Sequence, residues 1–287
     1  MQLSPEDRKL LPTADDIRFY QEHGYFVTKK IFTDAELDAA AAAADRYYAG
    51  QRTNMPGDKP MQWGWKAEHG DTLRKNDWST LQNPDLMKLV KKPILGAIGA
   101  QLAGTNIIRL WHDQLLWKPT DKPNQKANVG WHTDRGYWKT CSSPRMLTAW
   151  VPFHDCDEEM GSISFVDGSN LWPDNTENLN FFSNDLEGLE KQFVTGGKPV
   201  VKVVPALKKG QVTFHSCLTI HGSGPNKSPR PRRSMAVHMQ DASNRWQEFK
   251  HKDGKIAAHG NDMFDRKDER GLPDYTDPEM HPVLWEE

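Results

Sequence analysis

The sequence predicts a mainly β protein with helices packed outside it, in the manner of an antiparallel β-sandwich or jelly roll. From residue 107 onward, seven or more short runs rich in β-branched and aromatic residues are separated by Gly, Pro, Asn or Asp. Before residue 105, most apolar residues follow helical spacing instead. Strands and helices segregated in this way are typical of two packed sheets with flanking helices.

The first clear helix begins after Thr33. Thr33 and Glu36 form a capping box, with Phe32 and Leu37 placed as a hydrophobic staple. The alanine-rich stretch that follows continues to Gly50, where a helix is expected to stop.

The segments on either side of this helix are predicted from their breakers. "IRFYQEHGYFVTKKIF" reads as a short helix, a turn at Gly24 and a strand. Asn83 and Pro84 begin another helix, which Pro93 breaks or restarts. Residues 51–77, rich in Pro, Gly, Trp and charge, predict a long loop.

The predicted strands lie in one continuous region and suggest a single domain, 1–287. We divide it into a mostly helical part (1–105), a jelly-roll core (106–245) and a C-terminal lid or tail (246–287). Long connections at 171–199 and after residue 242, together with the loop 51–77, are expected to form a lid. The runs that predict the strands of the jelly-roll core are "IIRLWHDQLLWKP", "GWHTDRGYW", "MLTAWVPFHD", "GSISFVDGS", "VVKVVPA", "GQVTFHSCLTIHGSG" and "RRSMAVHMQDA".

Composition limits the partners. With 37 basic and 39 acidic residues the net charge is −2, so no basic field indicates nucleic acid or an anionic membrane. We find no signal peptide, no apolar run long enough to span a membrane, and three cysteines without a CxxC pair. We therefore expect a cytoplasmic protein that acts on a small molecule.

One His-x-Asp motif has the context of a metal site. His132 and Asp134 lie between strand-like segments, and residues i and i+2 of a strand share a face, so both can reach one ion. An imidazole and a carboxylate suit iron(II), zinc or manganese. Two other copies of the motif lie in charged, loop-like segments, at residues 69–71 and 251–253.

A second histidine would complete the ligand set. We favour His221, which ends a strand before a Gly-rich turn, although His215 lies on the same run and stays an alternative. Two histidines and one carboxylate leave coordination positions open for O2 at iron(II). Arg232, eleven residues after His221, offers a planar charged fork for the far carboxylate of a co-substrate, and Ser223 adds a hydroxyl.

The stretches "WHTDRGYW", "LTAWVPFHDCDEEMGSISFVDGSN" and "HGSGPNKSPRPRRSMAVH" resemble the phytanoyl-CoA dioxygenase family of iron(II)- and 2-oxoglutarate-dependent oxygenases. The resemblance extends from "GYFVTKKIFTDAEL" to "PVLW". It implies a double-stranded β-helix, that is, a jelly roll related to the cupins. It also implies Fe(II), 2-oxoglutarate as co-substrate, and O2.

The same resemblance implies residue roles. The metal ligands would be His132, Asp134 and His221, and Asp134 favours hydroxylation because halogenating relatives replace this carboxylate with a small residue. The resemblance also implies that Arg232, Ser223 and Trp150 contact 2-oxoglutarate. Gln114 and Lys118 would contact 2-oxoglutarate or the substrate.

We therefore expect a dioxygenase that hydroxylates an unactivated C–H bond of a small polar or amphiphilic metabolite and releases succinate and CO2. Three alternatives stay open. The same machinery can desaturate, cyclise, epimerise or dealkylate. A non-oxidative zinc or manganese jelly-roll enzyme and a metabolite-binding protein without chemistry are the others.

Overall fold

The computed structural model describes residues 1–61, 63–123 and 127–287. The longer helices lie before residue 104, and most strands lie in the second half of the chain. The helices are α1 (Pro5–Arg8), α2 (Ala14–His23), α3 (Asp34–Tyr48), α4 (Pro84–Val90), α5 (Pro93–Ala103), α6 (Asp134–Tyr137), α7 (Leu186–Glu190) and α8 (Asn261–Phe264). The strands are β1 (Tyr25–Val27), β2 (Arg74–Asp77), β3 (Ile107–Lys118), β4 (Val129–His132), β5 (Leu147–Pro152), β6 (Ile163–Val166), β7 (Lys202–Val203), β8 (Thr213–Ser216), β9 (His221–Ser223), β10 (Arg232–Asp241) and β11 (Val283–Glu286).

The strands of the described chain form two antiparallel sheets. The large sheet has the order β1-β8-β5-β10-β3-β11, and β2 also pairs with β3. The small sheet has the order β4-β9-β6-β7. The prediction of a mainly β jelly-roll fold with flanking helices is confirmed.

The large sheet separates two apolar clusters. On one face its strands pack with the buried residues of α3, α4 and α5. On the other, side chains such as Trp150 and Ala236 pack with Ile163 and Phe165 of the small sheet. Because side chains alternate along a strand, each strand of the large sheet serves both clusters. In β10, for example, Met235 and Val237 belong to the apolar cluster between the large sheet and the helices.

The predicted helix boundaries are confirmed where capping chemistry marks them. The Thr33 hydroxyl accepts from the Glu36 backbone N–H, and the Glu36 carboxylate accepts from the Thr33 N–H at 2.7 Å. The Asn83 side-chain oxygen caps α4 by accepting from the backbone N–H groups of Asp85 and Leu86. Gly24 ends α2 with φ of +80°, a left-handed conformation that favours glycine.

Three segments differ from the sequence expectation. Within the predicted loop 51–77, Arg74–Asp77 is β2, whose polar sequence carries no alternation and whose pairing with β3 is long-range. The Arg74 guanidinium lies 3.9 Å from the centre of the Trp117 ring on that neighbouring strand. Near the C-terminus, Val283–Glu286 also joins the large sheet rather than a lid.

The third difference separates two histidines. The run "GQVTFHSCLTIHGSG" predicts a single strand. It divides into β8 of the large sheet and β9 of the small sheet, with a turn between them. His215 and His221 therefore lie on facing sheets, not on one strand. In the described part of the chain, no helix combines the length and apolarity needed to cross a membrane.

Candidate active site

The His-x-Asp motif lies where a strand meets a short helix. His132 is the last residue of β4, and Asp134 is the first residue of α6, so the pair spans the strand end instead of sharing a strand. Thr133 caps this helix by accepting from the Gly136 N–H at 3.3 Å. The turn still directs both side chains together, with His132 Nε2 3.9 Å from Asp134 Oδ1.

Strand pairing brings His221 to the same point. β4 and β9 are antiparallel neighbours in the small sheet, and His132 is the partner of His221 in their register. His221 Nε2 lies 3.7 Å from Asp134 Oδ1. Ligand atoms of these three buried residues all lie within 4.8 Å of one another. Two imidazole nitrogens and a carboxylate oxygen form a donor set that suits iron(II).

Backbone carbonyls fix the tautomers of both histidines. His132 Nδ1 lies 2.8 Å from the Gly130 carbonyl oxygen, and His221 Nδ1 lies 2.9 Å from that of Thr219. A carbonyl can only accept, so each Nδ1 carries the proton and each Nε2 offers its lone pair. Burial lowers the pKa of both imidazoles, which keeps them neutral and able to bind a metal.

The two carboxylate oxygens of Asp134 face different groups. Oδ1 faces the two histidines, whereas Oδ2 accepts from the Thr148 hydroxyl at 2.6 Å and lies 3.3 Å from His215 Nε2. Burial alone would raise the pKa of Asp134, but the imidazoles of His221, His238 and His215 outweigh it and hold the pKa well below its usual range. The carboxylate is therefore ionised.

Two buried cations lie beside this cluster. Arg232 and Lys118 are 1% and 0% exposed, and both donate to the Ser223 hydroxyl. Ser223 donates in turn to the Gly161 carbonyl at 2.9 Å. Neither cation forms an ion pair with a carboxylate in the described ranges, and Arg232 Nε is buried without a partner. Because an unpaired buried charge is costly, this end of the site suits an anion.

The cations adjoin what we call the inner cavity. Burial lowers the pKa of Arg232 to about 10 and that of Lys118 well below its usual range, and repulsion from Arg232 lowers the pKa of Lys118 further. The guanidinium carbon of Arg232 lies 5.2 Å from the Trp150 ring centre. Lining residues of the inner cavity include Gln114, Trp150, His132, Asp134, His215, His221, Ser223, Arg232 and His238.

A larger opening, which we call the outer cavity, lies on the other side of the metal cluster. Its volume is about 280 Å³. Each of the three segments expected to form a lid contributes to its wall. The lining residues are Trp63, Lys75, Asp77, Trp78, His112, Gln114, His132, Asp134, Tyr137, Trp138, Phe181, Phe182, His238, Ala258, His259 and Gly260.

The structure thus brings all the expected site residues to one region. Lys118 reaches it through Ser223, and the others line the inner cavity. Sequence reasoning missed Thr148 and His238. Both had a usable signal, because Thr148 is two residues before Trp150 and His238 is six after Arg232, so each shares a strand face with an expected residue.

Comparison with protein families adds to this geometry. The model of the phytanoyl-CoA dioxygenase (PhyH) family matches residues 20–234, which is most of the chain and includes the metal cluster and both cations.

Two curated relatives illustrate the match. The chain is 23% identical to the peroxisomal phytanoyl-CoA dioxygenase of Bos taurus, over 79% of this chain and 68% of that protein. It is 25% identical to the ectoine dioxygenase of Bordetella bronchiseptica, over 81% of this chain and 76% of that protein. This chain thus spans about two thirds to three quarters of their lengths.

Among solved structures, the fold is similar to that of SnoK, a non-heme α-ketoglutarate-dependent carbocyclase from nogalamycin biosynthesis. The TM-score is 0.69 with 21% sequence identity, over 95% of this chain and 96% of that one. At this identity the likeness concerns the fold.

Proposed function

The chain belongs to the phytanoyl-CoA dioxygenase family and is an iron- and 2-oxoglutarate-dependent dioxygenase; we propose that it hydroxylates an unactivated C–H bond of a small polar or amphiphilic metabolite. One observation carries the proposal: a cluster of two histidines and one aspartate adjoins two buried cations that have no carboxylate counter-ion among the described residues. A ligand with a metal-chelating end and an anionic end would satisfy both.

Each of the expected site residues has a role in this proposal. His132, His221 and Asp134 hold Fe(II), the first two through Nε2 and the third through Oδ1. Arg232 and Lys118 bind the far carboxylate of 2-oxoglutarate, and Ser223 holds the two cations side by side. In the described conformation Arg232 also donates to the Gly161 carbonyl, so binding of the carboxylate exchanges protein contacts for contacts with the ligand.

Trp150 and Gln114 shape the remaining walls. Trp150 packs against the guanidinium and excludes water from its ion pair, which strengthens the attraction. Gln114 lines both cavities, and we propose that it contacts 2-oxoglutarate or substrate where the two meet.

The chemistry itself belongs to the bound groups. Iron, 2-oxoglutarate and O2 supply the oxidising power, with succinate and CO2 as co-products. The protein orients the target C–H bond and keeps water out, and the ring-lined outer cavity is suited to both tasks.

The proposed roles are tested by anaerobic titration of metal-free protein with Fe(II) and then 2-oxoglutarate. We expect the weak visible charge-transfer band of the chelate, and half-saturation at roughly 30- to 1,000-fold more 2-oxoglutarate in Arg232→Met, as for loss of a buried charge pair. Met removes the charge while retaining much of the volume, so the variant's thermal unfolding serves as the folding control.

Two results would contradict the proposal. If no band forms while zinc or manganese binds tightly, the reaction is not oxidative. If the band forms equally well in Arg232→Met, the far carboxylate lies elsewhere. Succinate release with candidate metabolites then identifies the substrate.

A further inference from the structure

His238 is buried between the two cavities. Its side chain follows from β10 and lines both the inner and the outer cavity, and the residue is 4% exposed. Nδ1 lies 2.7 Å from the Thr148 hydroxyl oxygen. Nε2 is buried and has no hydrogen-bond partner in the part of the chain that the structure describes.

Hydrogen-bond chemistry determines which nitrogen carries the proton. The Thr148 hydroxyl has a single hydrogen, and its oxygen lies 2.6 Å from Oδ2 of Asp134, which as a metal-binding carboxylate can only accept. Thr148 therefore donates to Asp134 and accepts from His238 Nδ1–H, whose nitrogen lies 2.7 Å away. With the ring proton on Nδ1, Nε2 keeps its lone pair and acts as an acceptor.

The surroundings of His238 carry rings and balanced charge. Lys75 in the outer cavity is paired with both oxygens of Asp77 at 2.8 Å. His112 stacks on His238 with ring centres 4.3 Å apart, and burial lowers the pKa of His112 and His259, which leaves them neutral. Aromatic rings form much of the remaining described wall: Trp63, Trp78, Tyr137, Trp138, Phe181 and Phe182.

We propose that the substrate is a compact, uncharged, ring-containing molecule that donates a hydrogen bond, from O–H or N–H, to His238 Nε2. Thr148 acts as the positioning residue that fixes this acceptor. The inference rests on the proposed function in one respect, since it takes the outer cavity as the substrate site. A cavity of about 280 Å³ lies just below the usual range for ligand sites, roughly 300–1,000 Å³, so it suits a compact ligand.

The physical reason is the cost of an unused buried acceptor. A ligand that donates to Nε2 removes this cost, whereas the same ligand with its donor methylated cannot. Binding should therefore differ by roughly 5- to 100-fold within such a pair. The donor would also hold the ring next to Asp134, because Thr148 connects the acceptor to that carboxylate.

The test uses two matched probe pairs, 2-piperidone with N-methyl-2-piperidone and cyclohexanol with cyclohexyl methyl ether. Binding to the full chain in the presence of 2-oxoglutarate is followed by tryptophan fluorescence, because three tryptophans line the cavity. The variants are His238→Phe, which keeps a ring without an acceptor, Thr148→Val, and the conservative Thr148→Ser.

In the wild type and Thr148→Ser we expect the donor member of each pair to bind more tightly. In His238→Phe and Thr148→Val the preference should disappear while the methylated member binds as before, which a merely structural role would not produce. Equal binding in the wild type, a preference that persists in His238→Phe, or no binding of any probe would overturn the proposal.

The outcome is distinguishable from failure of the proposed function. The charge-transfer band tests iron and 2-oxoglutarate without any probe. If the donor members bind more tightly but no band forms, the proposed oxygenase roles are wrong and the role of His238 as acceptor stands. If the band forms but the donor members are not preferred, the oxygenase roles stand and the role of His238 is wrong.

Discussion

The two faces of the large sheet are built from the same strands and differ in what their side chains do. Toward the helices, alternate residues such as Leu115, Val237 and Phe214 are apolar and fully buried. Toward the small sheet, their chain neighbours Gln114, His238 and His215 are polar and line the cavities. The polar groups that line the cavities are therefore confined to one face.

The difference teaches where stability and function can be separated. The helix face gains free energy from apolar burial. The cavity face instead holds uncompensated polar groups, Arg232 Nε and His238 Nε2 among them, which cost free energy until a ligand satisfies them. Substitutions on the helix face should therefore lower the free energy of unfolding and leave ligand binding unchanged. Substitutions on the cavity face should weaken ligand binding with little loss of stability.

The largest effect is expected from the metal ligands on the cavity side. His221→Ala should reduce Fe(II) affinity by more than the roughly 10- to 100-fold typical of a lost outer-shell partner, because it removes a ligand. His215→Ala removes only a neighbour of Asp134 Oδ2, so its loss should stay within that range. Equilibrium dialysis with Fe(II) under anaerobic conditions measures both.

These two histidines form a matched pair because both are buried and face the same carboxylate. Metal-free thermal unfolding of each variant should stay close to that of the wild type. A reversed order of iron affinities would make His215 the ligand and His221 the neighbour.

A second prediction compares neighbours on β3. Leu115→Ala should lower the free energy of unfolding by about 2–5 kcal/mol, because Leu115 is fully buried on the helix face. It should leave the 2-oxoglutarate titration unchanged below its melting temperature. Gln114→Ala should do the opposite, weakening 2-oxoglutarate or probe binding with little loss of stability. Urea unfolding and the band titration separate the two effects, and a large loss of stability in Gln114→Ala would contradict the division of faces.

The sequence could predict features that depend on local chemistry and could not predict those that depend on long-range pairing. Local chemistry marks its own position, so the cap at Thr33, the turn at Gly24 and the helix start at Pro84 were predicted and are confirmed. Alternation and breakers likewise located most strands of both sheets. β2 was missed because its stability comes from pairing with β3, and nothing in Arg74–Asp77 indicates that partner.

The candidate site shows the same limit. Motif and spacing identified His132, Asp134 and His221, although Asp134 lies on a helix start rather than on the strand. The contact between Thr148 and His238 depends on β5 and β10 being neighbours, which the sequence does not state. Residues that belong to a motif with fixed spacing were therefore predicted, whereas this contact, which depends on the order of the strands, was not.

A polar group also occurs on the helix side of β3. The pH dependence of protein stability shows whether this group is shielded from water as the apolar residues around it are. Asp113 shares its strand face with Leu115, is fully buried, and accepts from the Ser79 and Thr80 hydroxyls. Burial raises its pKa from 3.8 to about 6, despite these hydrogen bonds. Since the folded pKa exceeds the unfolded one, the folded protein binds a proton more tightly, and stability falls as pH rises between the two values.

The expected result is a loss of wild-type stability relative to Asp113→Asn from about pH 4 to pH 6, levelling above that, by up to about 3 kcal/mol. Urea unfolding of both proteins across pH 4–7.5 measures it. Asp241→Asn is the control of opposite sign. Burial would raise the pKa of Asp241, but hydrogen bonds from Ser143 and Ser243 outweigh it and lower the pKa, so its contribution is lost as pH falls. If the Asp113→Asn difference stays flat across this range, the carboxyl is not desolvated, and the helix face of β3 admits water beside Leu115.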